Sequence, residues 1–204
     1  MGISFGAACA FEAAFLAAAW IWLAAAGKDP RAVLGCNGSA LLWGAAGAIP
    51  TLAGFFWMLW RKPRRLEPLR RLLLEKIAPL FAGWTAPQAA VLSALAGLGE
   101  ELLFRGALQG WLQSRIGPVG AILLAAAAFG LAHPLSLRYA LATAAVGAYF
   151  GWLAVALGGV AAPAVAHGLH DFVAILWIKR RAARSLTEPG ADRTAEAEAD
   201  CLRR

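Results

Sequence analysis

Apolar blocks as long as a membrane-spanning helix recur along this sequence and limit the folds open to it. A helix needs about 20 apolar residues to cross the hydrocarbon core of a bilayer. Residues 2–26 reach this length with Glu12 as the single charged interruption, and residues 39–60 contain no charge at all. Further apolar blocks lie at 87–115, 119–132, 137–157 and 160–178. With 60% hydrophobic and 15% charged residues, the chain is predicted to be an all-α polytopic membrane helical bundle of about six transmembrane helices.

The charges lie mainly between and after these blocks. Of the 19 basic residues, seven fall within residues 61–76, and others follow the last block at Lys179, Arg180, Arg181 and Arg184. Basic clusters that flank hydrophobic spans are typical of cytoplasmic segments. Four predicted crossings separate the two clusters, so both lie on one side, and the N- and C-termini are predicted to be cytoplasmic. The net charge of +7 therefore indicates a lipid surface and not a nucleic-acid partner.

The same pattern divides the chain into four parts. Residues 1–60 form two N-terminal transmembrane helices, and residues 61–81 form a basic amphipathic cytoplasmic linker with leucines at helical spacing, suited to the interface. Residues 82–178 form the membrane core, and residues 179–204 are predicted to be a disordered cytoplasmic tail. The composition is compatible with a bacterial inner membrane.

Ionisable side chains occur inside the apolar second half, where each costs at least about 2.5–3.5 kcal/mol. Such residues are candidates for function, and the set contains all three histidines of the chain. Glu101 and Arg105 are four residues apart, as are His167 and Asp171, so each pair shares a helix face. Glu100 projects about 100° from Glu101. The full set is Glu100, Glu101, Arg105, His133, His167, His170 and Asp171.

Three short motifs in this region resemble those of a known family. They are Glu-Glu-X-X-X-Arg at 100–105, Phe-X-X-X-His at 129–133 and His-X-X-X-Asp at 167–171. Their order and spacing resemble the motifs of the CAAX protease and bacteriocin-processing (CPBP, Abi) family of glutamic-type intramembrane proteases. The resemblance covers residues 85–178. One position departs from the family pattern, because the last motif residue is often Asn there and is Asp171 here.

This resemblance implies an intramembrane endopeptidase that acts on a membrane-anchored protein or peptide. It implies that Glu100 and His133 bind and activate the water. His167 and Asp171 would then hold the oxyanion or orient the substrate carbonyl. A carboxylate would repel the developing negative charge, so we assign the oxyanion role to His167 and an orienting role to Asp171. The supporting residues are Glu101 and Arg105 as a charge pair, Phe129 as a cavity wall and His170 as a packing residue.

Three alternatives stay open at this point. Glu, His and Asp side chains can ligate zinc with a water in the open position. The chain lacks the His-Glu-X-X-His helix of many zinc peptidases, so we favour chemistry without a cofactor. The chain could instead be a non-catalytic membrane scaffold or immunity protein, or a proton transporter, although it shows no obvious inverted repeat. The hydrolase interpretation requires Glu100, His133 and His167 to converge on one pocket.

Overall fold

The computed structural model describes residues 2–36 and 38–187, with the side chains described through residue 181. All regular structure in these residues is helical. The helices are α1 (Phe5–Ala25), α2 (Pro30–Leu34), α3 (Ala40–Arg61), α4 (Glu67–Arg71), α5 (Ala86–Glu101), α6 (Gly110–Leu131), α7 (Leu137–Leu157) and α8 (Ala161–Thr187). Shorter 3-10 segments lie at Arg64–Leu66 and Ala78–Phe81, and π-helical segments lie at Leu72–Ile77 and Leu102–Gln109.

Five segments are long and apolar enough to cross a membrane, which confirms the all-α membrane bundle. They are Phe5–Ala25, Ala40–Arg61, Ala86–Leu131, Leu137–Leu157 and Ala161–Arg181. The structure has five such segments where the sequence predicts about six. The predicted third and fourth helices both lie in the 46-residue segment Ala86–Leu131, broken at Gly117 by a φ of 76° and ψ of 171°. A single left-handed glycine followed by Pro118 is enough to redirect a helix.

Local sequence signals set several helix ends. Thr85 begins α5 with a capping box, in which its side chain accepts from the Gln88 N–H and the Gln88 side chain accepts from the Thr85 N–H. Ser136 caps α7 by accepting from the Tyr139 N–H at 3.1 Å. Gly158, in the left-handed conformation, ends that helix. These caps satisfy backbone groups that a helix end leaves without partners.

Glycines allow the helices to approach closely. A Cβ at Gly97 of α5 would lie 2.5 Å from the Ala164 carbonyl oxygen of α8. One at Gly130 of α6 would lie 2.5 Å from the Ala140 carbonyl oxygen of α7. Close backbone contact at small residues is a common way for membrane helices to associate. The glycines thus bring α5 against α8 and α6 against α7; the three sequence motifs lie on α5, α6 and α8 and their ends.

The outer surface of the bundle is apolar. Large hydrophobic side chains are exposed there, including Leu42, Trp43, Ile49, Val119, Leu131 and Leu137. A soluble monomer rarely exposes apolar surface on this scale. The surface is the one expected of a bundle whose solvent is lipid, as predicted from the apolar blocks.

The basic segment after α3, residues 64–81, consists of short 3-10, α- and π-helical turns. Leu69 is buried against the end of α3, whereas Arg71 is exposed, so the segment has an apolar and a polar face. Glu67 accepts hydrogen bonds from Arg70 at 2.7 Å and Arg71 at 3.0 Å. These bonds lower the pKa of Glu67 to about 2, and the bond from Arg70 has the larger effect.

The last helix is longer than the sequence analysis predicts. Helix α8 continues to Thr187, so the prediction of disorder from residue 179 is wrong for residues 179–187. Basic residues are good helix formers, which allows the helix to extend past its apolar part. The remainder of the predicted tail, residues 188–204, lies outside the described residues.

Candidate active site

Glu100 and His133 face each other inside the bundle. Glu100 is the penultimate residue of α5 and is buried, with 6% of its surface exposed. Its Oε2 lies 3.9 Å from Nε2 of His133, which follows the end of α6. This distance exceeds that of a direct hydrogen bond. It is a distance at which one water molecule can contact both atoms.

The His133 ring is oriented by the backbone. Its Nδ1 lies 2.8 Å from the Phe129 carbonyl oxygen, one turn earlier on α6. A carbonyl oxygen only accepts hydrogen bonds, so Nδ1 carries the proton and donates. In the neutral ring, Nε2 is then an acceptor with its lone pair toward Glu100. The PheXXXHis spacing therefore controls which ring nitrogen faces the carboxylate.

A second group of charges lies next to this pair. Glu101 has no exposed surface, and its Oε1 lies 3.0 Å from Arg105 Nη1 and 2.9 Å from His167 Nδ1. Arg105 also donates from Nη2 to the Gly147 carbonyl oxygen of α7 at 3.1 Å. Its guanidinium lies over the Phe129 ring, 4.2 Å from the ring centre. Glu101 and Arg105 thus tie α5 to α7 and α8, beyond the ion pair that their spacing predicts.

His167 lies between two carboxylates. Nδ1 faces Glu101, and Nε2 is 3.4 Å from Asp171 Oδ2. Carboxylate oxygens only accept hydrogen bonds, so the ring donates to both carboxylates when both of its nitrogens carry protons. The Phe150 ring of α7 stacks on the imidazole with centroids 5.3 Å apart. The ring is therefore held by four groups from four helices, counting Phe129 on its edge at 6.0 Å.

The predicted residues form one cluster with one exception. Phe129 contacts both His133, at a centroid distance of 4.7 Å, and His167. Glu100 interacts electrostatically with His167 and Asp171. The predicted convergence of Glu100, His133 and His167 is thus present in the structure. The exception is His170, whose ring packs edge-on against Phe55 of α3 at a centroid distance of 5.8 Å, although it also interacts electrostatically with Asp171.

Two features of the site are not predicted from the sequence, namely a contact of Glu12 and a π-helical segment. Glu12 of α1 lies beside Glu100, close enough for a hydrogen bond between the carboxyl groups. A lone Glu in an otherwise apolar span is a signal for such a contact, but it does not name the partner. The second feature is the π-helical segment Leu102–Gln109, which begins directly after Glu101. Such segments are frequent at functional sites.

The carboxylates and imidazoles of the site are of the types that ligate metal ions. Among residues 2–36 and 38–187, no group of three or more His, Cys, Asp or Glu side chains has an arrangement that could hold a metal ion. Asp171 and Glu101 flank one imidazole, while Glu100 faces the other. The donors are therefore divided between two histidines and do not surround one point.

The fold and the site define a polytopic membrane protein with carboxylates and imidazoles buried together inside the bundle. Residues 82–173 match the family model for the type II CAAX prenyl endopeptidase Rce1-like proteins. The resemblance predicted from the three motifs is confirmed. Comparison with curated proteins and with solved structures gave no match.

Proposed function

We propose that the protein is an intramembrane endopeptidase that cleaves a membrane-anchored protein or peptide with water activated by Glu100 and His133. The observation that carries the proposal is the 3.9 Å distance between Glu100 Oε2 and His133 Nε2. Both atoms are acceptors in the tautomer that Phe129 selects. A water between them donates one proton to each and keeps its lone pairs free for attack.

The chemistry follows from this arrangement. The water oxygen forms a bond to the carbonyl carbon of the scissile peptide, and one water proton passes to the Glu100 carboxylate. The carbonyl π electrons move onto the oxygen to give a tetrahedral oxyanion. When that intermediate collapses, the C–N bond breaks and the proton passes to the leaving nitrogen. The net reaction is the addition of one water across the peptide bond.

His167 is the proposed partner of the oxyanion. Its ring is held by Glu101, Asp171 and Phe150, and a fixed N–H donor stabilises developing negative charge without reorganisation. Oδ2 of Asp171 lies 3.4 Å from Nε2 of His167. This distance is longer than that of a good hydrogen bond, so the substrate carbonyl oxygen can compete for the Nε2 proton. Asp171 and Glu101 are orienting residues in this scheme. Arg105 keeps Glu101 in place, and Phe129 forms the wall between the two histidines.

The orientation in the membrane is part of the proposal. Phe5 at the start of α1 packs on Trp84 at a centroid distance of 5.3 Å, and Lys179 of α8 donates to the Trp84 carbonyl oxygen. The N-terminus, the end of the basic linker and the basic part of α8 therefore share one end of the bundle. The positive-inside rule supports a cytoplasmic location for that end. A bacterial inner membrane is the proposed location.

The test is cleavage by the purified protein in liposomes. Two fluorogenic probes are used, namely a peptide ending in a prenylated CAAX sequence and an unprenylated peptide with a membrane-spanning anchor. We expect Glu100→Ala and His133→Ala each to lower kcat by about 10²- to 10⁴-fold, and Glu75→Gln, an exposed linker carboxylate, to leave it unchanged. Cleavage that survives both alanine variants contradicts the mechanism.

The same assay separates the alternatives. Activity that survives strong chelation supports the cofactor-free reaction, whereas loss of activity that zinc restores supports a zinc peptidase. If the wild-type protein cleaves neither probe, the result favours a scaffold or immunity role. Comparative proteomics of a deletion strain and a Glu100→Ala strain then searches for an uncleaved membrane-anchored precursor in both.

A further inference from the structure

Glu12 is a half-buried residue with a buried Oε2 atom, and the proposed mechanism does not use it. It lies on α1, outside the residues 82–173 that match the family model. Its position follows from close packing of α1 on α5. A Cβ at Gly99 would lie 3.0 Å from the Glu12 carbonyl oxygen and 3.2 Å from the Leu16 nitrogen. The glycine next to Glu100 therefore lets the α1 backbone reach the site.

The carboxyl groups of Glu12 and Glu100 are within hydrogen-bonding reach of each other. The Oε2 atom of each is buried and has no donor among the described residues. A carboxylate only accepts, so this hydrogen bond exists only when one of the two groups carries a proton. Two adjacent carboxyl groups sharing one proton is a familiar way to keep one of them ionised.

We propose that Glu12 carries this proton and donates a hydrogen bond with it to the Glu100 carboxylate, so that Glu12 is a positioning residue of the reaction. The proposal rests on the proposed function. The hydrogen bond fixes the Glu100 carboxylate with Oε2 toward His133 and keeps it ionised as the base. Helix α1, which lies outside the matched segment, would then complete the site.

Other charged or titratable groups surround the pair. On the chain segment of Glu100 these are Glu101 and Arg105, on α8 they are His167 and Asp171, and after α6 there is His133. Of these, His167 and Asp171 also interact with Glu12. All five remain in a Glu12 variant. A ratio of variant to wild-type activity therefore isolates the contribution of the Glu12 proton.

The first test compares Glu12→Gln with wild type across pH, using the prenylated CAAX peptide probe in liposomes. The glutamine amide donates to Glu100 in place of the carboxyl proton but cannot lose it. We expect kcat of the variant near the wild-type value at neutral pH, and a ratio of variant to wild type that rises as the pH becomes alkaline. A ratio that stays constant with pH overturns the proposal, because packing alone predicts a constant factor.

A second variant protects the test against a folding defect. Glu12→Leu has no donor but makes α1 more apolar, which favours membrane insertion. We expect kcat to fall about 10- to 100-fold, the range for losing a hydrogen bond to a charged group, with KM and the unfolding temperature unchanged. Unchanged kcat overturns the proposal. Glu75→Gln is the matched control for loss of a carboxylate.

A third measurement does not depend on activity. Infrared difference spectra of wild type against Glu12→Gln at neutral pH report the C=O stretch of a protonated carboxyl group. We expect this band in wild type and its loss in the variant. A band that the variant leaves unchanged, or no band in wild type, overturns the assignment of the proton. This readout stands even if neither probe is cleaved, so failure of the proposed function and failure of this inference are distinguishable.

Discussion

The buried pair of Glu101 and Arg105 allows a stability prediction with a defined magnitude. Both side chains have no exposed surface and lie 3.0 Å apart. Substituting Arg105→Met removes the guanidinium, its bond to the Gly147 carbonyl oxygen and its contact with Phe129. Glu101 then loses the guanidinium and retains its contact with His167 Nδ1. Breaking a buried ion pair on one side costs about 3–5 kcal/mol. Removing both charges together leaves no orphaned charge and costs much less.

The measurement is a double-mutant cycle on the free energy of unfolding in mixed micelles. Arg105→Met and Glu101→Gln are each expected to lower it by about 3–5 kcal/mol, and the double variant by much less than their sum. Arg71→Met removes an exposed linker arginine and serves as the control, with an expected change below about 1 kcal/mol. Additive effects of the two single changes would show that the pair does not act as a unit. If either single variant lowers the free energy of unfolding by as little as the Arg71→Met control, the burial of the pair is contradicted.

Two further predictions concern packing and pH. Gly97→Ala places a methyl group against the backbone of α8 at Ala164, and a backbone cannot move aside as a side chain can. We expect the free energy of unfolding, measured by thermal denaturation, to fall by about 1–3 kcal/mol. Gly54→Ala, where the added methyl group meets nothing within 4 Å, should cause no loss. Glu67 has a pKa lowered to about 2 from an ordinary 4.5, so the stability from its bonds to Arg70 and Arg71 is present above about pH 4.5 and is lost as the pH falls toward 2. Unfolding measured against pH should show this loss in wild type and not in Glu67→Gln, and equal slopes for the two proteins would contradict it.

The sequence predicts the fold class and the members of the main cluster for clear physical reasons. Lipid requires long apolar helices, so the spans are visible as blocks. Charged groups in such blocks are costly, so Glu100, Glu101 and Arg105 stand out without any structure. Helical spacing then pairs Glu101 with Arg105 and His167 with Asp171, and the structure has both contacts.

Contacts between helices distant in the sequence could not be predicted in the same way. The bond from His167 to Glu101 joins residues 66 positions apart, and no helical period relates them. The approach of Glu12 to Glu100 depends on the packing of α1 at Gly99, which a pattern of apolar residues does not encode. These features arise from tertiary packing, where local spacing rules carry no information.

The bond from His133 to the carbonyl oxygen of Phe129 has a consequence for scanning mutagenesis. The group that selects the tautomer is a main-chain atom, so no exchange of a side chain removes it. Replacing Phe129 by alanine alters the wall between the two imidazoles, yet the donor at Nδ1 keeps its acceptor. An alanine scan would therefore score position 129 for its ring alone and miss the contribution of its peptide group, which only an amide-to-ester replacement of the backbone could reveal.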